Sequence, residues 1–99
     1  MTYFLGIDAG GSNCRARLID NEGKVIGTGQ GGTANARIGL EPLYATLRAV
    51  SDQAIGEAGL SRAQIQTIRA GMGIAGISRP GVRDALKDFA FPFASVAYG

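Results

Sequence analysis

The residues best suited to chemistry stand near the amino terminus, where one acid is followed closely by two glycines and two polar side chains. They are Asp8, Gly10, Gly11, Ser12 and Asn13. Glycines accept positive φ and lack a Cβ, so the chain can reverse tightly and backbone N–H groups can approach an anion. Serine and asparagine add side-chain donors. A carboxylate near an apolar strand is costly to bury without a cation or donors, so the acid is expected to do more than pack.

Two strands are expected to hold this turn. The run Tyr3 to Ile7 is short, apolar and rich in β-forming residues, which predicts a strand buried on both faces. From Cys14 the pattern alternates, with Cys14, Ala16 and Leu18 on one face and Arg15, Arg17 and Ile19 on the other. A phosphate-type anion loop between two strands is favoured over the alternative, a plain β-hairpin with glycine at its turn and an incidental acid.

The hairpin resembles the first phosphate-binding loop of the sugar kinase, Hsp70 and actin superfamily, in the form G-I-D-A-G-G-S at Gly6–Ser12. Within that superfamily it resembles the N-acetylglucosamine and glucosamine kinase branch, together with the related BadF/BadG-type ATPases. The resemblance implies that Asp8 helps to hold Mg²⁺ through water. It also implies that Gly10-Gly11-Ser12, with Asn13 beside them, bind the β- and γ-phosphates of ATP. Many relatives have a basic residue or Thr where this chain has Asn13, so phosphate charge must also be neutralised elsewhere.

Length and composition limit the function classes. A chain of 99 residues with 45% hydrophobic residues can form one domain with a modest core, but not a two-lobed enzyme. The net charge is +2 and the basic residues are scattered, so nucleic-acid binding is not expected. The start has no basic region typical of a signal peptide and no apolar run is long enough to span a bilayer, so a cytoplasmic location is expected.

Two residue types restrict the available chemistry. Cys14 is the single cysteine, which excludes an internal disulfide and a thiolate metal cluster, and we expect it to be a small strand residue. The chain has no histidine, so a general base within it would have to be a carboxylate, lysine, tyrosine or thiol.

A third strand and a loop follow the hairpin. Asp20–Gly23 predicts a turn, and Lys24–Gln30 predicts an outer strand of an antiparallel meander, because glycines weaken a strand interior. Residues Gly31–Arg37 are expected to form an irregular loop. The resemblance implies that Asn35, in G-T-A-N, hydrogen-bonds sugar hydroxyls; the alternative is that Asn35 only stabilises a turn.

The second half of the chain alternates helices with strands. A helix is predicted from about Glu41 to Ala58, with Pro42 in its first turn, Gly59 at its end and a buried stripe of Leu43, Leu47, Val50 and Ala54. Ser61–Gln64 has the capping-box pattern of a short helical turn. Gln66–Gly76 predicts a strand that runs into a loop and is reached by a parallel crossover. A helix over roughly Pro80–Phe89, with Val82, Leu86 and Phe89 on one face, and a strand over Ala94–Tyr98 complete the pattern.

The predicted order β-β-β-α-β-α-β is that of an α/β, RNase H-like (actin-like ATPase) fold, with a mixed sheet of three antiparallel strands followed by parallel crossovers. The resemblance covers essentially all 99 residues but only the front part of a kinase polypeptide. Residues 1–99 are therefore expected to be the N-terminal subdomain of a two-lobed ATPase or sugar kinase. In the kinase family the strand end matched by Gly73–Gly76 lines the cleft between the lobes.

Two stretches also match the dinucleotide pattern G-x-G-x-x-G, Gly27–Gly32 and Gly71–Gly76. That pattern requires a helix to open on its glycines and an acid about 20 residues later. The first stretch is expected to lead into a loop. After the second, the helix is expected to open near Ser78–Pro80, beyond the glycines. A dinucleotide-binding module therefore stays a less favoured alternative.

The resemblance implies ATP-dependent phosphorylation of glucosamine or N-acetylglucosamine, with ATP and Mg²⁺ as cofactors. The catalytic base of this family is an aspartate on the next strand, beyond Gly99, so no catalytic residue is expected within the chain and the chain alone is expected to be inactive. The expected partners are ATP, a small sugar and the C-terminal lobe of the same polypeptide, with no nucleic acid or membrane; a homodimer stays open. The alternatives are an activator ATPase of the BadF/BadG type coupled to electron transfer, and a non-catalytic nucleotide-binding or interaction module.

Overall fold

The chain forms a five-stranded sheet with its helices packed against one face. The computed structural model describes residues 2–99. The strands are β1 (Tyr3–Ala9), β2 (Cys14–Ile19), β3 (Val25–Gly31), β4 (Ile68–Ile74) and β5 (Ser95–Tyr98). The helices are α1 (Leu40–Ala58), α2 (Arg62–Ile65) and α3 (Val82–Leu86), and a 3₁₀ turn at Ala36–Ile38 precedes α1.

The strand order across the sheet is β3-β2-β1-β4-β5, so β1 is central. The pairs β1–β2 and β2–β3 are antiparallel, whereas β1–β4 and β4–β5 are parallel. This arrangement confirms the predicted meander followed by parallel crossovers. The helix α2 starts at the predicted capping box, in which Ser61 and Gln64 each accept a hydrogen bond from the other's backbone N–H.

The core lies between the sheet and α1. In β1 and β4 buried and exposed residues alternate strictly along each strand. The prediction that Tyr3–Ile7 is buried on both faces is therefore wrong. Its physical reason is that the helices of residues 2–99 cover only one face, so Phe4, Gly6 and Asp8 are left exposed on the other.

The long helix α1 confirms the predicted buried stripe. Leu43, Leu47, Val50 and Ala54 are all fully buried against the sheet. The helix begins one residue earlier than predicted, at Leu40, and ends where Gly59 adopts a left-handed conformation with φ of 69°.

Two glycines of β3 bring α1 unusually close to the sheet. A Cβ on Gly27 would lie 2.0 Å from the carbonyl oxygen of Ala54, and a Cβ on Gly29 would lie 2.1 Å from that of Val50. Both distances are far below van der Waals contact, so only glycine fits at either position. β3 is an edge strand, as predicted, but its glycines form a contact surface for the helix.

The same helix also covers part of the backbone of the edge strand. The N–H of Gln30 donates to Oε1 of Gln53, and Nε2 of Gln53 donates back to the carbonyl of Gln30, both at 3.1 Å. The side-chain amide therefore occupies the hydrogen-bonding positions that a further strand would use at that residue.

The second predicted helix is shorter than expected. Instead of Pro80–Phe89 it spans Val82–Leu86, because Gly81 is left-handed (φ 80°) and residues 87–89 turn away from the helix axis. Leu86 is fully buried, and Phe89 packs on Tyr44 with ring centroids 5.0 Å apart, so the predicted inward face is confirmed. β5 begins at Ser95, one residue later than predicted.

Within residues 2–99 the structure contains no helix with the length and apolar character needed to cross a bilayer.

Candidate functional site

The β1–β2 hairpin turns through a four-residue loop, Gly10–Asn13. The N–H of Gly10 donates to the carbonyl of Asn13 at 2.9 Å and closes the loop. Neither Gly10 nor Gly11 has positive φ, so the turn does not use the conformational freedom that glycine offers; positive φ occurs at Gly23, Gly39, Gly59, Gly76 and Gly81. The loop instead benefits from the missing side chain, since a Cβ on Gly10 would come within 3.3 Å of the Asn13 carbonyl oxygen.

The loop presents a row of free donors. In the described part of the chain, the backbone N–H groups of Gly11, Ser12 and Asn13 donate to no backbone acceptor, and all three residues are exposed. Ser12 also carries a hydroxyl that can donate a hydrogen bond. Successive N–H groups without an acceptor in an exposed loop are the kind of donors that can bind an anion.

Asp8 lies at the end of the central strand, two residues before the loop. Its side chain is exposed on the sheet face opposite α1, so the burial cost expected from the sequence does not arise. In register it stands between Arg15 of β2 and Gly73 of β4. Because Gly73 has no side chain, one flank of the carboxylate is open to a ligand.

The acids of the described residues do not form a metal cage. No group of three or more histidine, cysteine, aspartate or glutamate side chains comes together anywhere in residues 2–99. Mg²⁺ usually keeps several waters and is held by one or two carboxylates together with phosphate oxygens. One exposed carboxylate beside a row of anion donors fits that kind of binding.

Three segments are joined by backbone hydrogen bonds at this end of the sheet. Ala34 donates to Gly10 at 3.2 Å, which links the loop after β3 to the hairpin loop. Ala36 donates to Ala75 at 3.0 Å, and Ala75 donates to Ala9 at 2.9 Å. The carboxyl ends of β1 and β4 therefore meet the loop after β3 at one place, where ligands of open α/β sheets generally bind.

Asn35 lies inside this junction. Its Oδ1 accepts a hydrogen bond from the N–H of Arg37 at 2.8 Å and caps the 3₁₀ turn, so the turn-stabilising role is present. Its Nδ2 is on the side of the hairpin loop, 3.9 Å from where a Cβ on Gly11 would lie. The amide nitrogen is therefore directed to the candidate site while the oxygen holds the turn.

The sequence alone did not indicate which basic side chains lie near the candidate site. Arg15 stands directly opposite Asp8, and the Cδ of Arg79 lies 3.7 Å from the position of a Cβ on Gly76, at the end of β4. Both side chains are exposed. The alternation of β2 already placed Arg15 on the outer face, but assigning it to Asp8 required the hairpin register.

The thiol of Cys14 takes no part in this chemistry. The side chain is fully buried. Burial raises the pKa of the Cys14 thiol, and the negative charge of Asp8 raises it further. The prediction of a structural cysteine is confirmed.

The dinucleotide alternative is excluded by the elements that carry its glycines. Gly71 and Gly73 lie inside β4, and the next helix begins only at Val82. Gly27 and Gly29 lie inside β3 against α1. No helix N-terminus is therefore available at either set of glycines.

A depression of about 860 Å³ extends from Asp8 over the outer face of β2 and β3 to the side of α1. None of the loop residues Gly10–Asn13 lines it, so it belongs to the open sheet face and not to the anion loop. Its lining consists of Gly6, Ile7, Asp8, Arg15, Ala16, Arg17, Thr28, Gly29, Gln30, Gln53, Glu57 and Gly71.

The chain is similar in sequence to known proteins. The model of the BadF/BadG/BcrA/BcrD ATPase family matches residues 5–91. The glucosamine kinase GspK of Vibrio cholerae is 36% identical over 107 aligned positions, which cover 100% of this chain and 35% of that protein.

Solved structures show the same fold. A Chromobacterium violaceum protein assigned as an N-acetylglucosamine kinase superposes with a TM-score of 0.86 at 23% identity, over 100% of this chain and 35% of that one. Component A of the (R)-2-hydroxyglutaryl-CoA dehydratase of Acidaminococcus fermentans gives a TM-score of 0.52 at 14% identity, over 99% and 31%. The likeness confirms the RNase H-like, actin-like ATPase fold, and the chain spans about a third of the length of these relatives.

Proposed function

This chain belongs to the BadF/BadG/BcrA/BcrD ATPase family, and from that membership we propose that it is the N-terminal subdomain of an ATP-dependent amino-sugar kinase. The proposed reaction transfers the γ-phosphoryl group of ATP to a hydroxyl of glucosamine or N-acetylglucosamine in the cytoplasm. The observation that carries the proposal is the row of free N–H donors at Gly11–Asn13 beside the exposed carboxylate of Asp8. The glucosamine kinase that is 36% identical favours an amino sugar as the acceptor.

The chain's own residues bind and orient the reactants. The N–H groups of Gly11, Ser12 and Asn13 donate to phosphate oxygens, and the open junction of β1 and β4 leaves room for them. Asp8 would hold a hydrated Mg²⁺ through water, and the ion would neutralise phosphate charge. Phosphoryl transfer depends mainly on such positioning and electrostatic stabilisation, so the fixed donors supply what the reaction needs on this side of the nucleotide.

Asn35 and two arginines complete the proposed site. The Nδ2 of Asn35 donates to a sugar hydroxyl, while its oxygen stays on the N–H of Arg37. Asn13 is neutral, so Arg15 and Arg79 supply the positive charge that offsets the phosphates.

The base that removes the hydroxyl proton is proposed to lie outside residues 1–99. Asp20 and Glu22 belong to the β2–β3 turn, where Oδ1 of Asp20 accepts from the N–H groups of Glu22 and Lys24. Glu41, Asp52, Glu57 and Asp84 lie on helices of the opposite face, and Asp88 follows α3. None of these stands at the junction of the three segments.

Replacement of one carboxylate tests the proposal in the full-length polypeptide. We expect Asp8→Asn to lower kcat/KM for glucosamine or N-acetylglucosamine phosphorylation by roughly 100-fold or more, since a charge that positions the metal is lost. The control is Asp52→Asn, which neutralises an exposed carboxylate on α1 and should leave the rate unchanged.

Each alternative has its own outcome in this experiment. An unchanged kcat/KM for Asp8→Asn contradicts the proposed site. ATP hydrolysis at the same rate with and without sugar, in a protein that phosphorylates neither amino sugar, favours the activator ATPase.

A further inference from the structure

A second pocket lies on the helical side of the sheet, between α1, α2 and the segment that leads into β5. Its volume is about 510 Å³, which is within the range of pockets that bind small molecules. None of the residues of the hairpin loop, of the loop after β3 or of the strand ends that form the candidate site lines it. The proposed kinase reaction therefore leaves this pocket without a role.

Two arginines give the pocket its charge. Arg48 of α1 and Arg62 of α2 both line it, together with one acid, Asp52, which is exposed. In the part of the chain that the structure describes, the single ion pair joins Lys87 and Asp84, so neither arginine of the pocket has a carboxylate within salt-bridge distance. The pocket therefore carries a net positive charge and favours an anion.

The guanidinium of Arg48 is held in place but not neutralised. It lies 5.9 Å from the ring centroids of both Tyr44 and Phe91, and its Nη1 donates to the Tyr44 hydroxyl at 3.0 Å. Its Nε is buried and has no hydrogen-bond partner within residues 2–99. A cation that is partly removed from water without a counter-ion is unfavourable. An anion that enters the pocket would compensate this charge at a group that is already oriented.

The other walls suit the body of a small molecule. Ile55, Ile65 and Pro92 present apolar surface to the pocket. Gly56 lies in the last turn of α1, where glycine is less favourable than alanine, and a Cβ there would meet no atom within 4 Å. Packing within residues 2–99 therefore does not require glycine at position 56, and the missing side chain leaves space in the pocket.

We propose that this pocket binds a small organic anion, whose phosphate or carboxylate group pairs with Arg48 and Arg62 and whose body packs on Ile55, Ile65 and Pro92. Guanidinium groups bind both kinds of oxyanion through paired N–H donors. The site is separate from the proposed nucleotide and sugar site, and it does not depend on the proposed kinase activity.

Isothermal titration of the full-length polypeptide with defined probes tests the site. Phenyl phosphate and benzoate each join an oxyanion to an apolar ring, whereas inorganic phosphate has the anion alone and benzyl alcohol has the ring alone. We expect at least one aromatic anion to bind roughly tenfold more tightly than inorganic phosphate, and benzyl alcohol to bind at least tenfold more weakly than that anion. The comparison of phenyl phosphate with benzoate shows which oxyanion the pocket prefers.

Two substitutions separate binding from folding. Arg48→Met keeps an apolar stem against Tyr44 and Phe91 but removes the charge, so the affinity for the preferred probe should fall at least tenfold, while the melting temperature without probe stays the same or rises. Gly56→Leu fills the pocket and favours the helix, so it should abolish binding and raise the melting temperature. Ala45→Leu, at an exposed position of α1 outside the pocket, is the control and should leave binding unchanged.

Three results would overturn the proposal. The first is an unchanged affinity in Arg48→Met and Gly56→Leu, which would place the probe elsewhere on the protein. The second is the absence of binding by both aromatic anions. The third is binding of benzyl alcohol as tight as that of benzoate, which would make the pocket a site for neutral apolar molecules. Asp8→Asn should leave probe binding unchanged, so the kinetics that decide the kinase proposal do not decide this one.

Discussion

Asn35 uses the two polar atoms of its side chain for different purposes. The oxygen caps the 3₁₀ turn through the N–H of Arg37, and the nitrogen is on the side of Gly11. The structural and the proposed sugar-binding roles can therefore be separated by chemistry at one position.

We expect Asn35→Asp to retain the cap and most of the stability, because a carboxylate oxygen still accepts from the N–H of Arg37. The KM for the amino sugar should rise, because the donor is gone. Asn35→Ala should lose about 1 kcal/mol of stability as well. Urea denaturation and sugar kinetics of both variants check this, and an unchanged KM for Asn35→Asp would remove Asn35 from the sugar site.

Cys14 gives the stability a pH dependence. Its pKa is raised in the folded state by burial and then by Asp8, from an ordinary value of 9.0. Between those two pKa values the unfolded thiol has lost its proton and the folded one keeps it, so stability falls as pH rises. Urea unfolding from about pH 8 to pH 11 should show this decline, weakened in Cys14→Ala. Tyr98→Phe controls for Tyr98, whose pKa is also raised by burial and by Tyr44. The same decline in Cys14→Ala would contradict the assignment.

At the scale of elements, the contact between α1 and β3 depends on two positions that have no side chain. We expect Gly29→Ala to destabilise the chain by about 1–3 kcal/mol or more, because the new Cβ would overlap the carbonyl oxygen of Val50. Gly6→Ala is the matched control, since a Cβ there meets nothing within 4 Å, and it should change the free energy of unfolding by no more than about 0.5 kcal/mol. Equal effects of the two changes in urea denaturation would argue against the close packing.

The amide of Gln53 protects the backbone of the edge strand. We expect Gln53→Ala to cost about 1–2 kcal/mol through its two hydrogen bonds to Gln30 and to promote association of chains through β3. Sedimentation and urea denaturation measure the two effects. Asp52→Ala, at a neighbouring exposed position, should show neither.

At the scale of the whole molecule, residues 1–99 carry one side of the proposed nucleotide site. We expect this chain alone to bind ATP weakly and to transfer no phosphate to glucosamine, because the base and the remaining nucleotide contacts are proposed to lie elsewhere in the polypeptide. Isothermal titration and a coupled phosphotransfer assay check both expectations. Turnover by residues 1–99 would contradict the proposed division of the site.

Much of this arrangement follows from sequence periodicity. The alternation from Cys14 onward, the stripe on α1 and the capping box at Ser61 were all predicted, because each depends on neighbours in sequence. The exposed face of β1 was not, since the apolar run Tyr3–Ile7 does not reveal which side a distant helix will cover. The short α3 depends on a left-handed Gly81 that a helical pattern conceals.

The candidate site could likewise be predicted only in part from the sequence. Asp8 and the loop Gly10–Asn13 could be identified from residue types that occur together, although the backbone conformation of the glycines could not. The position of Arg79 beside Gly76, and the direction of the Asn35 amide, depend on how three loops meet. Local patterns hold no information about such a junction.

Gly27 and Gly29, which lie beneath α1, also limit which substitutions this sequence can accept. In a saturation library selected for folded protein, positions 27 and 29 should lose every substitution, because even the smallest side chain collides with the helix backbone. Positions 28 and 30 between and beside them face water and should tolerate most residues. Along the edge strand, positions that accept only glycine would then alternate with positions that accept most residues. In an ordinary strand the inward positions instead retain large apolar residues.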